Sequence, residues 1–280
     1  MIQNTDTLPI PWSELPSEDV IFDLDGTLLE GDLGETVFYH YLLQDHMGGF
    51  LQDSSQHPGS SEQNQLKEIV LHGNAARAFQ RYRSLLENSR FEEAYAFVAC
   101  WIDQQEEDAR VVTQAVLKIN CGPVGIRIRL ENGQKGPAYQ SAYGARYKPG
   151  MKALAKKLLA AGADGWIVSA SPQPVCEVVG DQMGFHRSRV IGVHTSEGEL
   201  HTPWGSGKVT ALQQRGVKNP LLAFGDSAGD CEMLLFARHG FLVRNGSDNA
   251  LLAEARKYGW FVLEDSENGV GSQEKEKMDA

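Results

Sequence analysis

From Lys148 to Asp265 the chain alternates short apolar runs with amphipathic stretches, and this alternation limits the fold more than any other feature. MKALAKKLLAAG carries apolar residues at helical spacing and stops at Gly162. GWIVSAS follows as an apolar run bounded by turn residues, the pattern of a strand buried on both faces. Ser171-Pro172 then offers an N-cap and a first-turn proline to the next helix. RVIGVHTSEGELH reads as a strand and hairpin, GSGKVTALQQRG as a helix, PLLAFGD as a strand and GDCEMLLFARHG as a helix. FLVRN and GWFVLED read as final strands, separated by the helix of NALLAEARKYG. Parallel neighbours need a crossover about as long as a helix, and these connections have that length. The expected class is therefore α/β, a Rossmann-like parallel sheet with helices on both faces.

One strand comes earlier. Glu18 to Leu24 (EDVIFDL) is a short, partly β-branched apolar run that ends in Asp-Gly-Thr, which suits a tight turn. The block after it, up to about Gly144, is patterned for helices. Leu33, Val37, Phe38, Tyr41 and Leu42 form one stripe. Leu66, Ile69, Val70, Gly73, Ala76 and Phe79 form a second, and Phe91, Tyr95, Val98 and Ile102 a third. The polar stretch QDSSQHPGSSEQNQ between the first two has little to bury and reads as a loop. Ile126, Ile128 and Leu130 alternate with Arg127 and Arg129 ahead of Asn132-Gly133, a hairpin signature. The sequence thus divides into a core of residues 1–31 and 145–265 and a mainly helical cap of residues 32–144 inserted after the first strand. Residues 1–17 hold three prolines and read as a loose arm. The charged residues 266–280 have no apolar anchor and read as a disordered tail.

The formal net charge of the 280 residues is −11, which disfavours general nucleic-acid binding through repulsion by the phosphate backbone. No apolar run approaches the roughly 20 residues needed to span a bilayer. The N-terminus lacks the basic and apolar regions of a secretory leader. Cys100, Cys121, Cys176 and Cys231 are sparse and form no CxxC pair, which suits reduced thiols. These features fit a soluble cytoplasmic protein with neither nucleic acid nor membrane as partner.

In a parallel sheet, ligands bind at the carboxyl ends of the strands. Three polar segments fall there: Asp23-Leu24-Asp25-Gly26-Thr27, Ser169 in IVSAS, and Gly225-Asp226-Ser227-Ala228-Gly229-Asp230. Lys208, in GSGK at a helix start, lies between the last two. Converging carboxylates repel each other and lose solvation, and a hard divalent cation relieves both costs. Mg²⁺ suits oxygen donors, and it makes Asp23 a metal-bound nucleophile toward phosphorus. Asp25 is placed to protonate the leaving oxygen and then to activate water. Ser169 and Lys208 are suited to holding phosphoryl oxygens. GSGK is not a nucleotide-binding P-loop, because Thr202 and Val209 break that pattern.

The order DxDGT, Ser, Lys, GDSxxD strongly resembles the haloacid dehalogenase superfamily of hydrolases. The resemblance implies that Asp23 is the nucleophile and Asp25 the acid/base. Thr27, Ser169, Ala170 and Lys208 would contact phosphate. Asp23, Asp25 (through its carbonyl) and Asp226 would bind Mg²⁺, and Asp230 would act behind them. Family dehalogenases lack the second Asp of the first motif, so Asp25 argues for phosphate chemistry. The insert right after that motif is similar to the phosphoserine and phosphorylcholine phosphatase branch. Phosphoserine phosphatases usually carry Ser-Gly-Gly where this chain has Ser-Ala-Ser, and Gly-Ala-Asn-Asp where it has Ser-Ala-Gly-Asp. A Glu in the early cap normally binds the serine amine there. Asp32 is the nearest match by spacing, with Glu35 close behind.

The expected activity is hydrolysis of a small phosphorylated metabolite through an aspartyl-phosphate. A phosphotransferase or mutase using the same intermediate, and a silent phospho-ligand-binding protein, are the alternatives. Asp32 and Glu35 are specificity candidates that also suit a helix N-terminus. Arg81, with Arg77 and Arg83, either meets a substrate anion or belongs to a solvated helix face. Ser171 reads as a helix cap.

Overall fold

The computed structural model describes residues 2–4, 8, 10–44, 68–105, 108–119, 121–130, 132–244 and 249–264. The first half runs β1 (Ile2–Asn4), β2 (Asp19–Phe22), β3 (Leu29–Glu30), α1 (Leu33–Gln44), β4 (Glu68–Leu71), α2 (Gly73–Glu87), α3 (Phe91–Asp103), α4 (Ala109–Val116), β5 (Gly122–Arg129), β6 (Lys135–Tyr143) and β7 (Arg146–Tyr147). The second runs α5 (Pro149–Ala160), β8 (Asp164–Pro172), α6 (Gln173–Met183), β9 (Val190–Ser196), β10 (Glu199–His201), α7 (Ser206–Gln214), β11 (Leu222–Gly225), α8 (Cys231–Phe236), β12 (His239–Val243), α9 (Asn249–Tyr258) and β13 (Phe261–Glu264).

Eight strands pair in the order β1-β13-β12-β11-β2-β8-β9-β10. All neighbours are parallel except β9 and β10, which form the expected hairpin. Successive strand residues point to opposite faces. Phe22, Phe224 and Phe241 therefore stack across β2, β11 and β12 on one face, with neighbouring ring centroids 4.8 Å apart. Ile21, Ala223 and Leu242 fill the cluster on the other face. The α/β class expected from the alternation is the one observed.

The block between β3 and β7 supplies α1 to α4 and a separate three-stranded sheet ordered β4-β5-β6. Its apolar stripes do not form a self-contained core. Leu33, Val37 and Phe38 of α1, Phe79 of α2 and Val98 of α3 belong to the same buried cluster as Phe22 and Phe224 of the large sheet. The hairpin turn closes with Gly133 N–H donating to Leu130 O at 2.9 Å.

Several local expectations are corrected. The second helical stripe splits: Ile69 and Val70 lie in strand β4, parallel to β5, and the helix starts only at Gly73. Adjacent β-branched residues favour a strand when a partner edge is present, and β5 provides it. The arm of residues 1–17 is not wholly loose, since β1 extends the sheet beside β13 and Leu15 is fully buried. Helix α4 was not expected; Asp108 caps it by accepting from Arg110 N–H at 2.8 Å. Helix α8 ends at Phe236, and His239 and Gly240 already belong to β12. The polar loop at 52–65 and the tail at 266–280 lie outside the described residues. None of the four cysteines is in a disulfide. No helix among the described residues is long and apolar enough to cross a membrane.

Candidate active site

The three central strands β11, β2 and β8 all end at one cavity of about 810 Å³. Asp23 follows β2 and is anchored by its N–H to Phe224 O at 2.9 Å. Ser169 to Ser171 form the end of β8, and Asp226 follows β11. Lys208 projects from the first turn of α7. All of these line the cavity, as do Asp25 and Ala170.

Lys208 is buried and donates from Nζ to Asp23 Oδ1 at 2.5 Å and to Asp230 Oδ1 at 2.6 Å. Asp230 is fixed in turn, because its Oδ2 accepts from Asp226 N–H (3.1 Å), Ser227 N–H (3.0 Å) and Ser227 Oγ (2.8 Å). One turn of backbone thus orients Asp230, and Asp230 orients the lysine. Burial works against the Lys208 ammonium, yet Asp23 and Asp230 outweigh it and its pKa stands above that of an ordinary lysine. Burial, and then Asp230, hold the Asp23 carboxyl well above the usual range although Lys208 pulls the other way. Burial is the larger cause of that rise, and the carboxylates of Asp230, Asp226 and Asp25 add to it.

The gathering of buried carboxylates points to a cation. Asp23, Asp226 and Asp230 each offer an oxygen, all within 4.8 Å of one another. Oxygen-only, acidic donors suit a hard divalent ion. The Gly26 turn makes room for this set. It has φ +76°, and a Cβ there would lie 2.0 Å from Asp226 Oδ2. Thr27 Oγ1 donates to Asp226 Oδ1 at 3.1 Å, and Lys148 Nζ donates to Gly26 O. In this state the Thr27 hydroxyl serves Asp226, where phosphate contact was the expectation.

The Asp25 side chain stands apart from the acidic trio. Its Oδ2 accepts from Ser171 Oγ at 2.6 Å and Ser169 Oγ at 3.3 Å, and its Oδ1 accepts from Leu33 N–H at 2.7 Å. Burial raises its pKa, and these bonds, Ser171 foremost, counter the rise. Ser171 therefore does not cap α6. Strand β8 continues through Pro172, and α6 has no side-chain cap.

The specificity candidates separate. Asp32 lines the cavity and also accepts Glu35 N–H at 2.7 Å, so it serves the start of α1 and faces the cavity at once. Burial, then Asp25 and Glu35, push its pKa well up. Glu35 turns into the helical block, where Tyr39 OH donates to it and Ser141 Oγ lies at 3.4 Å. Arg81 is exposed and does not line the cavity; Arg83, two residues on, is the arginine whose charge acts on Glu35. Sequence reasoning missed several lining residues, among them Ser171, Lys148, Tyr95 and Trp204. Only Ser171 had a usable signal, lying two residues after Ser169 and so on the same strand face. Trp204 stacks on Phe91 of α3 with centroids 5.3 Å apart, joining the helical block to the sheet at the cavity wall.

Residues 125–235 match the model of the haloacid dehalogenase-like hydrolase family. The matched span contains Ser169, Lys208, Asp226 and Asp230 but not Asp23 or Asp25. No curated protein matches the chain. A functionally unknown protein from Anaerococcus prevotii is similar in structure at 14% identity and TM-score 0.55, covering 93% of this chain and 87% of its own. A protein of unknown function from Bordetella pertussis is similar at 16% identity and TM-score 0.56, covering 88% and 98%. A phosphoserine phosphohydrolase-like protein from Francisella tularensis aligns at 15% identity and TM-score 0.47, covering 88% and 94%.

Proposed function

We propose, from the match of residues 125–235 to the haloacid dehalogenase-like hydrolase family, that the chain is a Mg²⁺-dependent phosphatase acting on a small organic phosphomonoester. The observation that carries this reading is the pairing of two differently held carboxylates on one cavity. Asp23 is fixed by Lys208 within an acidic trio, while Asp25 is fixed by hydroxyls and a backbone amide away from it. Two carboxyls in different environments are what separate nucleophile and acid/base roles require.

Lys208 occupies Asp23 Oδ1, so attack on phosphorus falls to Oδ2. The new bond from Asp23 to phosphorus forms as the bond to the leaving oxygen breaks, and Asp25 gives its proton to that oxygen. Asp25 then takes a proton from water, which attacks the aspartyl-phosphate and frees Asp23 and inorganic phosphate. Ser169, Ala170 and Lys208 are placed to hold the phosphoryl oxygens. Asp23 and Asp226 would hold Mg²⁺ with Asp230 behind them, and the ion when bound would supply positive charge to the phosphate oxygens.

Residues 1–31 and 145–265 serve as the catalytic core and residues 32–144 as a cap that shields the reaction from water. Asp32 and Tyr95 give the leaving-group side of the cavity an acidic and aromatic character. That favours an ester whose alcohol carries a hydrogen-bond donor or a positive charge, in the manner of phosphoserine or phosphorylcholine. The substrate is a cytoplasmic metabolite on this reading.

The test is release of inorganic phosphate from a panel of phosphorylated metabolites. Dialysis against EDTA is expected to lower turnover roughly 100-fold or more, several kcal/mol in the barrier, and added Mg²⁺ to restore it. Undiminished activity after chelation would remove the metal from the scheme. Transfer of phosphate to an added alcohol without phosphate release would recast the protein as a phosphotransferase.

A further inference from the structure

The end of β8 departs from regular pairing in a way that the hydrolytic scheme leaves unused. Val168 pairs with Ile191, and the next partners are Pro172 and Val193. Strand β8 therefore carries two more residues across this interval than β9. Such a bulge re-aims side chains at sheet ends. Here it frees Ser169, Ala170 and Ser171 from the ladder. Gly192 opposite makes this possible, since a Cβ there would lie 2.7 Å from Ser171 O.

Two serines leave the bulge toward Asp25, and they are not equivalent. Ser171 Oγ is buried and donates to Asp25 Oδ2 at 2.6 Å. Ser169 Oγ is at 3.3 Å and also accepts Ser171 N–H at 3.0 Å. The stronger hold on the carboxyl is thus from Ser171. On the other side, α1 brings Leu33 N–H to Asp25 Oδ1 and places Gly34 against the serine. A Cβ on Gly34 would lie 2.4 Å from Ser171 Oγ. The serine thus leaves no room for a side chain at Gly34 in the first turn of α1.

We propose that Ser171 is the positioning residue of the acid/base: with Leu33 N–H it clamps both oxygens of Asp25 and fixes the plane from which the proton reaches the leaving group. The proposal rests on the phosphatase reading above. A carboxyl oxygen has two lone-pair directions, so Oδ1 keeps one for the travelling proton after accepting from Leu33. As phosphorus moves from the leaving oxygen to Asp23, that proton passes from Asp25 Oδ1 to the leaving oxygen, and Asp25 ends as the carboxylate that Ser171 stabilises. A clamp of this kind matters in proportion to the leaving group's need for a proton.

The experiment compares kcat/KM for phenyl phosphate and para-nitrophenyl phosphate, since this parameter covers steps up to loss of the alcohol. Nitrophenolate departs without protonation, whereas phenolate is more basic and needs it. Ser171→Ala is expected to lower kcat/KM for phenyl phosphate by roughly 10- to 100-fold and to leave para-nitrophenyl phosphate nearly unchanged. Gly34→Ala keeps the hydroxyl but displaces it, and is expected to show the same selective loss. Equal losses on both esters, or none, would overturn the positioning role. A wild-type protein that releases phosphate from neither ester would instead fail at the phosphatase reading and take this proposal with it.

Discussion

Asp23→Asn is expected to lower kcat by about 10⁴-fold or more without unfolding the protein. The amide keeps the shape of the carboxylate and still offers Oδ1 to Lys208, so the buried contact survives. It loses the charge that makes the group a nucleophile. Stability should not suffer. Burial and the Asp230 carboxylate already oppose ionisation of Asp23, so a neutral side chain relieves repulsion among the acids of the trio. Steady-state phosphate release and thermal melts by circular dichroism, on the same preparation, check both halves. Turnover near that of wild type would remove Asp23 from the nucleophile's place.

Lys208→Met should be the most destabilising single change in the site. Lys208 is the cation in direct contact with both Asp23 and Asp230, and all three are buried. Removing one partner of a buried ion pair typically costs about 3–5 kcal/mol, because the remaining charge is left uncompensated. Here two carboxylates lose their partner together. Urea denaturation in the absence of divalent ions would measure the loss. Combining the change with Asp23→Asn should return part of it, since contacting residues do not contribute additively. A melt identical to wild type would show that Lys208 does not hold the acids in place.

The sequence pointed to the sheet through its alternation, because strands buried on both faces leave unbroken apolar runs. It pointed to Asp23, Asp25, Ser169, Lys208 and Asp226 because the ends of parallel strands gather polar residues at one edge. It failed where a side chain had two uses and only tertiary structure chose between them. Ser171 before Pro172 has every local feature of a cap, yet the bulge turns it to Asp25. Ile69 and Val70 fit a helical stripe until β5 offers them an edge. Arg81 and Arg83 are indistinguishable by spacing, and only packing puts Arg83 near Glu35. Lys148 gave no signal at all, because its partner is a backbone carbonyl more than a hundred residues away.

Helices α1 and α3 pack against β8, so the seam between the helical block and the large sheet is continuous and apolar. A door hung on one hinge would have to wet that seam each time it swung, at about 25 cal/mol for every Å² of grease exposed. Opening the whole seam is therefore costly. Movement confined to exposed parts of the lining, such as the ion-paired Glu30 and Arg146, would leave that seam dry.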